Sequence, residues 1–481
     1  MTAQPGVGRR VPAGMGSVRI LLVVVVAVLL VPSAAHASST MTMSFEAPSE
    51  LLDDGLRDST LDEIRAFGVG QVRALAYWDQ FAPEADARRK PRFDARDPAA
   101  YPAGTWDRLD RLFAAAGQRA IRVQLTLTGP VPRWATSTKR DHVTRPDPEA
   151  FEDWVTAVGR RYGSTGAIFS IWNEPNHPDF LGPQFVDERP ESPRLYRRLY
   201  LAALRGLGAA GVPSTRVLFG ETAPRGTPNV VAPLAFLRGA LCLDSRYRKA
   251  RSCGLVRTGG IAHHAYTTKA GPFFEPASRD DVTIGVLPRL IVAVDRAAKA
   301  GALPRGLGIF LTEFGIQSTP DPFAGVSLAR QSEYLAVSER MAYANPRVKW
   351  FSQYLMRDDQ PRPGDRTQRY SGFESGLRTA AGEEKPAYRA FALPLAVTDY
   401  GRTDVIWGRV RPAGGATTVT VQVRGRGGKR WHDAGRATTN RVGVYGLSVT
   451  HKDGRRYRAV WAAPGGRTLS GPPIRAYAAL R

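Results

Sequence analysis

Between residues 41 and 394 eight short apolar runs alternate with longer stretches of helical period, and nothing else in the chain limits the fold as strongly. The apolar runs fall at 41–45, 69–76, 120–127, 168–172, 216–219, 261–265, 308–312 and 349–354. The helical patterns fall at 61–67, 106–116, 148–162, 193–210, 231–241, 284–300 and 329–344. Strands separated by helices of this length pair in parallel, because a parallel pair needs a crossover of a dozen or more residues. Eight such units predict a closed (β/α)8 TIM barrel over residues 38–396, an α/β fold. An open doubly wound sheet is the alternative, but no Gly-rich phosphate loop follows the first strand. Asp147-Pro148 marks a helix start, and Gly211 and Gly301 mark helix ends.

Past Pro394 the pattern changes. Runs at 417–423, 443–449 and 458–462 alternate in polarity between Gly-rich turns, which predicts a small antiparallel β-sandwich over 397–481. This segment holds 14 Arg and 2 Lys against 4 Asp, a large part of the +23 charge of the whole chain. Arg outnumbers Lys 58 to 9 overall, a skew that codon usage can produce, and no nucleic-acid module is recognisable, so no nucleic-acid partner is expected. Arg424, Arg426, Lys429 and Arg430 gather at one expected hairpin tip. They read either as a solvated turn or as an attachment to an anionic cell-wall polymer. A monomer is expected. With 43% apolar residues, a disordered chain is excluded.

Arg9, Arg10 and Arg19 precede an apolar run at 20–31, broken by Pro32 and followed by Ala35-His36-Ala37. That is the pattern of a secretory signal peptide over 1–37, cut after Ala37. An uncleaved N-terminal anchor is the competing reading, although the run is short of the roughly 20 residues of a span. Secretion makes Cys242 and Cys253, 11 apart in a polar stretch, a local disulfide pair. Two cysteines exclude a four-cysteine metal site.

Two segments carry the chemistry. In Phe169-Ser-Ile-Trp-Asn-Glu-Pro-Asn176 an apolar strand ends abruptly at Asn173-Glu174. In Gly308-Ile-Phe-Leu-Thr-Glu-Phe-Gly315 another ends at Glu313. A carboxylate at the end of an inward-packed strand is costly unless used or paired, and barrel active sites lie at those ends.

These residues resemble the retaining glycoside hydrolases of clan A, cellulase-like proteins of family 5 or 39 type, in the manner of secreted actinobacterial members. The resemblance covers about 41–395. It implies that Glu174, after Asn173 on the fourth strand, is the acid/base and Glu313, on the seventh, the nucleophile. His264-Ala265-Tyr266 is similar to the sixth-strand pattern of family 5, and Arg73 looks like the clan's arginine near the nucleophile. The resemblance implies hydrolysis of β-linked glycosides or polysaccharide by double displacement, with no cofactor and no metal. Asn173 would bond the sugar 2-hydroxyl, and Arg73 and Tyr266 would attend Glu313. The chain departs from family 5 after the third strand, where Leu125-Thr-Leu-Thr-Gly129 lacks a histidine, and at the eighth, where Tyr354 stands near the usual tryptophan.

Other residues are expected near the sugar. Trp78 and Trp134 follow the second and third strands and either stack on substrate or pack the rim. Glu221 ends the fifth strand and either contacts hydroxyls or pairs with Arg225. His177 is a loop residue near the mouth. His263-His264 invites a metal reading without an HExxH motif to support it. The competing functions are a non-catalytic carbohydrate- or cell-wall-binding barrel and a metal-dependent hydrolase.

Overall fold

Strand β1 (Thr42–Glu46) is followed by β2 (Gln71–Tyr77), β3 (Arg122–Thr128), β4 (Ile168–Ile171), β5 (Val217–Thr222), β6 (Gly260–His264), β7 (Gly308–Glu313) and β8 (Val348–Tyr354). These eight close a parallel barrel, β1 pairing with both β8 and β2. The structure, a computed structural model, describes Ser38 and residues 40–463 and 466–479; the expected signal segment 1–37 lies outside them. Among the described residues, no helix is long and apolar enough to cross a membrane.

The crossovers are α1 (Arg57–Ala66), α2 (Asp107–Gln118), α3 (Pro148–Tyr162), α4 (Ser192–Ala209), α5 (Pro233–Ala240), α6 (Pro288–Lys299) and α7 (Leu328–Tyr343). Their ends follow local chemistry. The Asp147 carboxylate accepts the Glu149 and Ala150 N–H groups, and Pro148 occupies the first turn of α3, where no N–H is missed. Gly211 and Gly301 leave α4 and α6 with φ of 78° and 70°. Each helix turns an apolar face to the barrel: on α3, Phe151, Trp154, Val155 and Val158 are all buried.

Helix α8 (Pro386–Ala392) leads into the second sheet, formed by β9 (Leu395–Asp399), β10 (Thr403–Arg409), β11 (Thr418–Arg424), β12 (His432–Thr438), β13 (Val444–Thr450), β14 (Arg456–Ala462), β15 (Thr468–Ser470) and β16 (Ile474–Ala478). Their order is β12-β11-β14-β16-β9-β10-β13, with β15 on β14, and the sheet curls almost closed around Val397, Ile406, Val421, Tyr457 and Trp461. The expected antiparallel pattern holds except at β9 and β16, which pair in parallel. The chain between them supplies the crossover that such a pair requires. The β domain is fastened to the barrel by Trp407 and Val444 packed with Val337 of α7. Beside them, buried Arg411 donates to the Glu339 carboxylate of the same helix.

Candidate active site

Barrel register brings the polar strand ends into one ring. Glu46, the last residue of β1, stands opposite Arg73 on β2 and Tyr354 on β8. His264, last of β6, stands opposite Glu313, last of β7. Beyond β4 the backbone is strained, with Trp172 and Glu174 at φ of 68° and 39°, and Glu221 on β5 at 51°. Left-handed non-glycine residues cost energy and cluster where a side chain must be aimed. Gly220, at φ 122°, lets β5 and β6 approach; a Cβ there would lie 2.4 Å from the Ala262 carbonyl oxygen.

Arg73 is the hub. Its Nη1 donates to Glu46 and Glu313, its Nη2 to Asn173 Oδ1 at 2.7 Å and Glu221 Oε2 at 2.9 Å, and its Nε to Thr126 Oγ1 at 3.1 Å. Burial works against the guanidinium charge, but Glu221, Glu46 and Glu313 more than reverse that and raise its pKa. Glu221 also accepts from Gln124 Nε2 at 2.9 Å, Thr312 Oγ1 at 3.0 Å and the Ser170 hydroxyl. Burial alone would raise its carboxyl; Arg73 and His264 outweigh burial and hold it at about 2.

His264 lies between two carboxylates, Nδ1 2.9 Å from Glu174 Oε1 and Nε2 2.8 Å from Glu221 Oε2. Burial lowers the imidazole pKa, but Glu313, Glu174 and Glu221 bring it to about 10, so it is a cation near neutral pH. Glu46 goes the other way: burial, opposed by Arg73, raises it to about 8 and keeps it protonated. The Tyr266 hydroxyl donates to Glu313 Oε2 at 3.1 Å.

Two of these four carboxyl groups open to the mouth. The side chains of Glu174 and Glu313 are 18% and 11% exposed, those of Glu46 and Glu221 3% and 0%. One oxygen of Glu174 and one of Glu313 lie within 4.8 Å of each other and of a His264 nitrogen. A cation would find three ligand atoms there, although both His264 nitrogens are already engaged by Glu174 and Glu221. Two carboxyls this close suit nucleophile and acid; the roughly 6.5–9.5 Å gap that houses an attacking water is wider.

The expected residues divide between this ring, the core around it and the loops. Trp78 and Trp134, expected either to stack on substrate or to pack the rim, are 1% and 4% exposed, and their rings pack edge to face at 5.8 Å, with Trp78 stacked on Trp154 at 5.7 Å. Their area is spent on the core. Arg73, His264 and Glu221 are fully buried and bond one another and the carboxyls around them. Glu221 pairs with Arg73 rather than Arg225. His263 bonds Thr222 Oγ1 and the Val282 carbonyl, and burial pushes it down to about 4, the state of a neutral core histidine. His177 is part exposed in the loop after Glu174. Cys242 and Cys253 form the expected disulfide.

Asn173, 5% exposed, gives its oxygen to Arg73, which leaves its NH2 as the donor for a ligand. Tyr354 is half-buried, edge-on to Tyr266 at 6.3 Å and to Phe373 at 5.2 Å. Phe373, 41% exposed, completes an aromatic wall. Sequence reasoning passed over Phe373, in a loop without pattern, and Glu46, which carries the very signal used for Glu313: a carboxylate ending an apolar strand.

No family profile matches the chain, and no curated protein matches it. Among solved structures it is similar in fold to the GH39 enzyme from Xanthomonas axonopodis pv. citri, with TM-score 0.50 and 17% identity over 92% of this chain and 96% of that one. It is also similar to GH5_18 from Streptomyces cattleya in complex with GlcNAc (TM-score 0.49, 19% identity, 74% of this chain and 79% of that one). A third is the beta-glycosidase from the hyperthermophile Thermosphaera aggregans (TM-score 0.49, 12% identity, 74% and 96%). The first likeness is too long to be the barrel alone and takes in the β domain.

Proposed function

We propose that this protein is a secreted retaining glycoside hydrolase acting on β-linked glycosides or polysaccharide. The observation that carries the reading is the pair of mouth-facing carboxyls, Glu174 and Glu313, with one oxygen of each within 4.8 Å of the other. Glu313 attacks the anomeric carbon while Glu174 gives its proton to the departing glycosidic oxygen. His264 occupies Glu174 Oε1, so Oε2 carries that proton. A water, deprotonated by Glu174, then releases the sugar from the Glu313 ester. Asn173 donates to the 2-hydroxyl, a bond that strengthens as the ring gains positive charge. Arg73 and Tyr266 hold the two oxygens of Glu313 in place. The GH39 likeness, which speaks to fold, is compatible with this chemistry.

Secretion is supported by two features. Ser38 is docked, its N–H on the Tyr343 carbonyl and its hydroxyl on that of Val348, both at 2.7 Å, so a cut after Ala37 leaves the new end anchored. The Cys242–Cys253 disulfide suits an oxidising compartment. An anionic wall polymer is the proposed partner of the basic β domain.

The test is a panel of aryl β-glycosides, with the first-formed anomer followed by proton NMR. Release of the β anomer is expected. First-formed α anomer would sink the retaining mechanism, and no turnover on any member, with binding of the same sugars retained, would favour the non-catalytic barrel.

A further inference from the structure

In the β domain, sheet register sets three arginines side by side. Arg424 on β11 stands directly opposite Arg456 on β14, and Arg456 directly opposite Arg475 on β16. Directly paired residues share a face, and like charges so placed are destabilising. In the barrel ring, by contrast, the buried arginine is matched by carboxylates. Here, among the described residues, none of the three has a carboxylate within ion-pairing distance. Glu333 accepts the backbone N–H of Arg475 at 3.4 Å rather than pairing with its guanidinium.

The row borders a cleft of about 670 Å³, walled also by the glycine-rich turn at 425–428 and the 451–455 turn. Arg426, Lys452 and Arg455 add to its charge, against Asp399 and Asp453. His451 is held as a cation at about 9 by its bonds to Asp404 and Asp453. A self-repelling row costs stability, and the natural relief is a ligand that brings the missing anions.

We infer that this cleft binds an acidic polysaccharide, each guanidinium of the Arg424–Arg456–Arg475 row taking a carboxylate of the chain. Arginine forks suit carboxylates in two-point contact. Adjacent strands lie about 4.8 Å apart, comparable with the advance per sugar along an extended polymer. The cleft has no free aromatic platform: the Trp431 ring carries Arg424 and Arg458 at 4.8 and 4.4 Å from its centroid. Neutral glycans and unstacked bases, which rely on such platforms, are therefore disfavoured. Lys429 and Arg430 are exposed at the hairpin tip and do not line the cleft. The inference rests on the glycan-directed reading of the barrel only for the choice of polymer, and its test does not need turnover.

The experiment measures binding of the full chain to polygalacturonate at low salt, beside polyphosphate, duplex DNA and neutral galactan. R424Q/R456Q/R475Q should weaken polygalacturonate binding by roughly tenfold or more, while the charge-matched K429Q/R430Q/R441Q stays within about twofold. Equal loss in both triple variants would overturn the site in favour of the domain's overall field. Polyphosphate or DNA binding as tight as polygalacturonate would overturn the ligand class. Failure of aryl-glycoside hydrolysis, with this binding intact, would count against the barrel reading alone.

Discussion

The barrel mouth and the β-domain cleft both concentrate charge, in opposite ways. At the mouth every cation is shared: Arg73 among Glu46, Glu221 and Glu313, His264 between Glu174 and Glu221. In the cleft three arginines face one another with no partner within ion-pairing distance among the described residues. The first arrangement is complete without a ligand and fixes the geometry of the groups it surrounds. The second is incomplete, which is why it points to something from outside. A charged cluster is thus informative less by its size than by whether its own chain balances it.

The contrast can be broken by experiment. Glu313→Gln leaves the ring nearly intact in shape but removes the nucleophile, so kcat on an aryl glycoside should fall by roughly 10⁴; activity within tenfold of the parent would remove Glu313 from its role. Arg73→Met strips the hub from three carboxylates. Breaking a buried pair by deleting one partner costs about 3–5 kcal/mol, to be read from urea unfolding. A loss below about 1 kcal/mol would mean the ring does not depend on its cation.

Titration sharpens the comparison. Glu46 moves from 4.5 to about 8, through burial opposed by Arg73. Between those values the native chain keeps a proton the unfolded chain has lost, so stability falls as pH rises. His264, raised from 6.5 to about 10, adds a second fall over that window. Glu221, lowered from 4.5 to about 2, gives a rise with pH that is complete by about 4.5. Glu46→Gln should therefore lose less stability than the parent between pH 4.5 and 6.5 in urea midpoints; parallel slopes would refute the assignment. The smallest effect belongs to the cleft. With no ligand, R424Q/R456Q/R475Q should unfold no more easily than the parent, and gain about 0.2–1 kcal/mol per relieved pair. A clear loss would show that the row has structural work.

The barrel was legible because each strand is a compact apolar run bounded by turns, so all eight appear within a few residues of their expected places. The tail was less so. Strand β12, His-Asp-Ala-Gly-Arg-Ala-Thr, is exposed or half-exposed along its length and carries no alternation to read. At the site, Glu174 and Glu313 declared themselves by ending apolar strands. For the tryptophans the sequence left two readings open because position after a strand does not say which way a ring turns; burial of a large aromatic favours packing. The burial of Arg73, Glu221 and His264 follows from barrel closure, which no local pattern encodes.

One connection in the second sheet governs how the protein is completed. Strand β16 lies between β14 and β9 and is the link that joins the two halves of that sheet. It is also the last strand of the chain described. A ribosome that has released nothing beyond Pro473 therefore holds two unjoined fragments of sheet, and the Arg475 end of the basic row does not yet exist. Among the described residues the two halves of the β domain pair only through this strand, so loss of residues 474–478 by proteolysis would separate them.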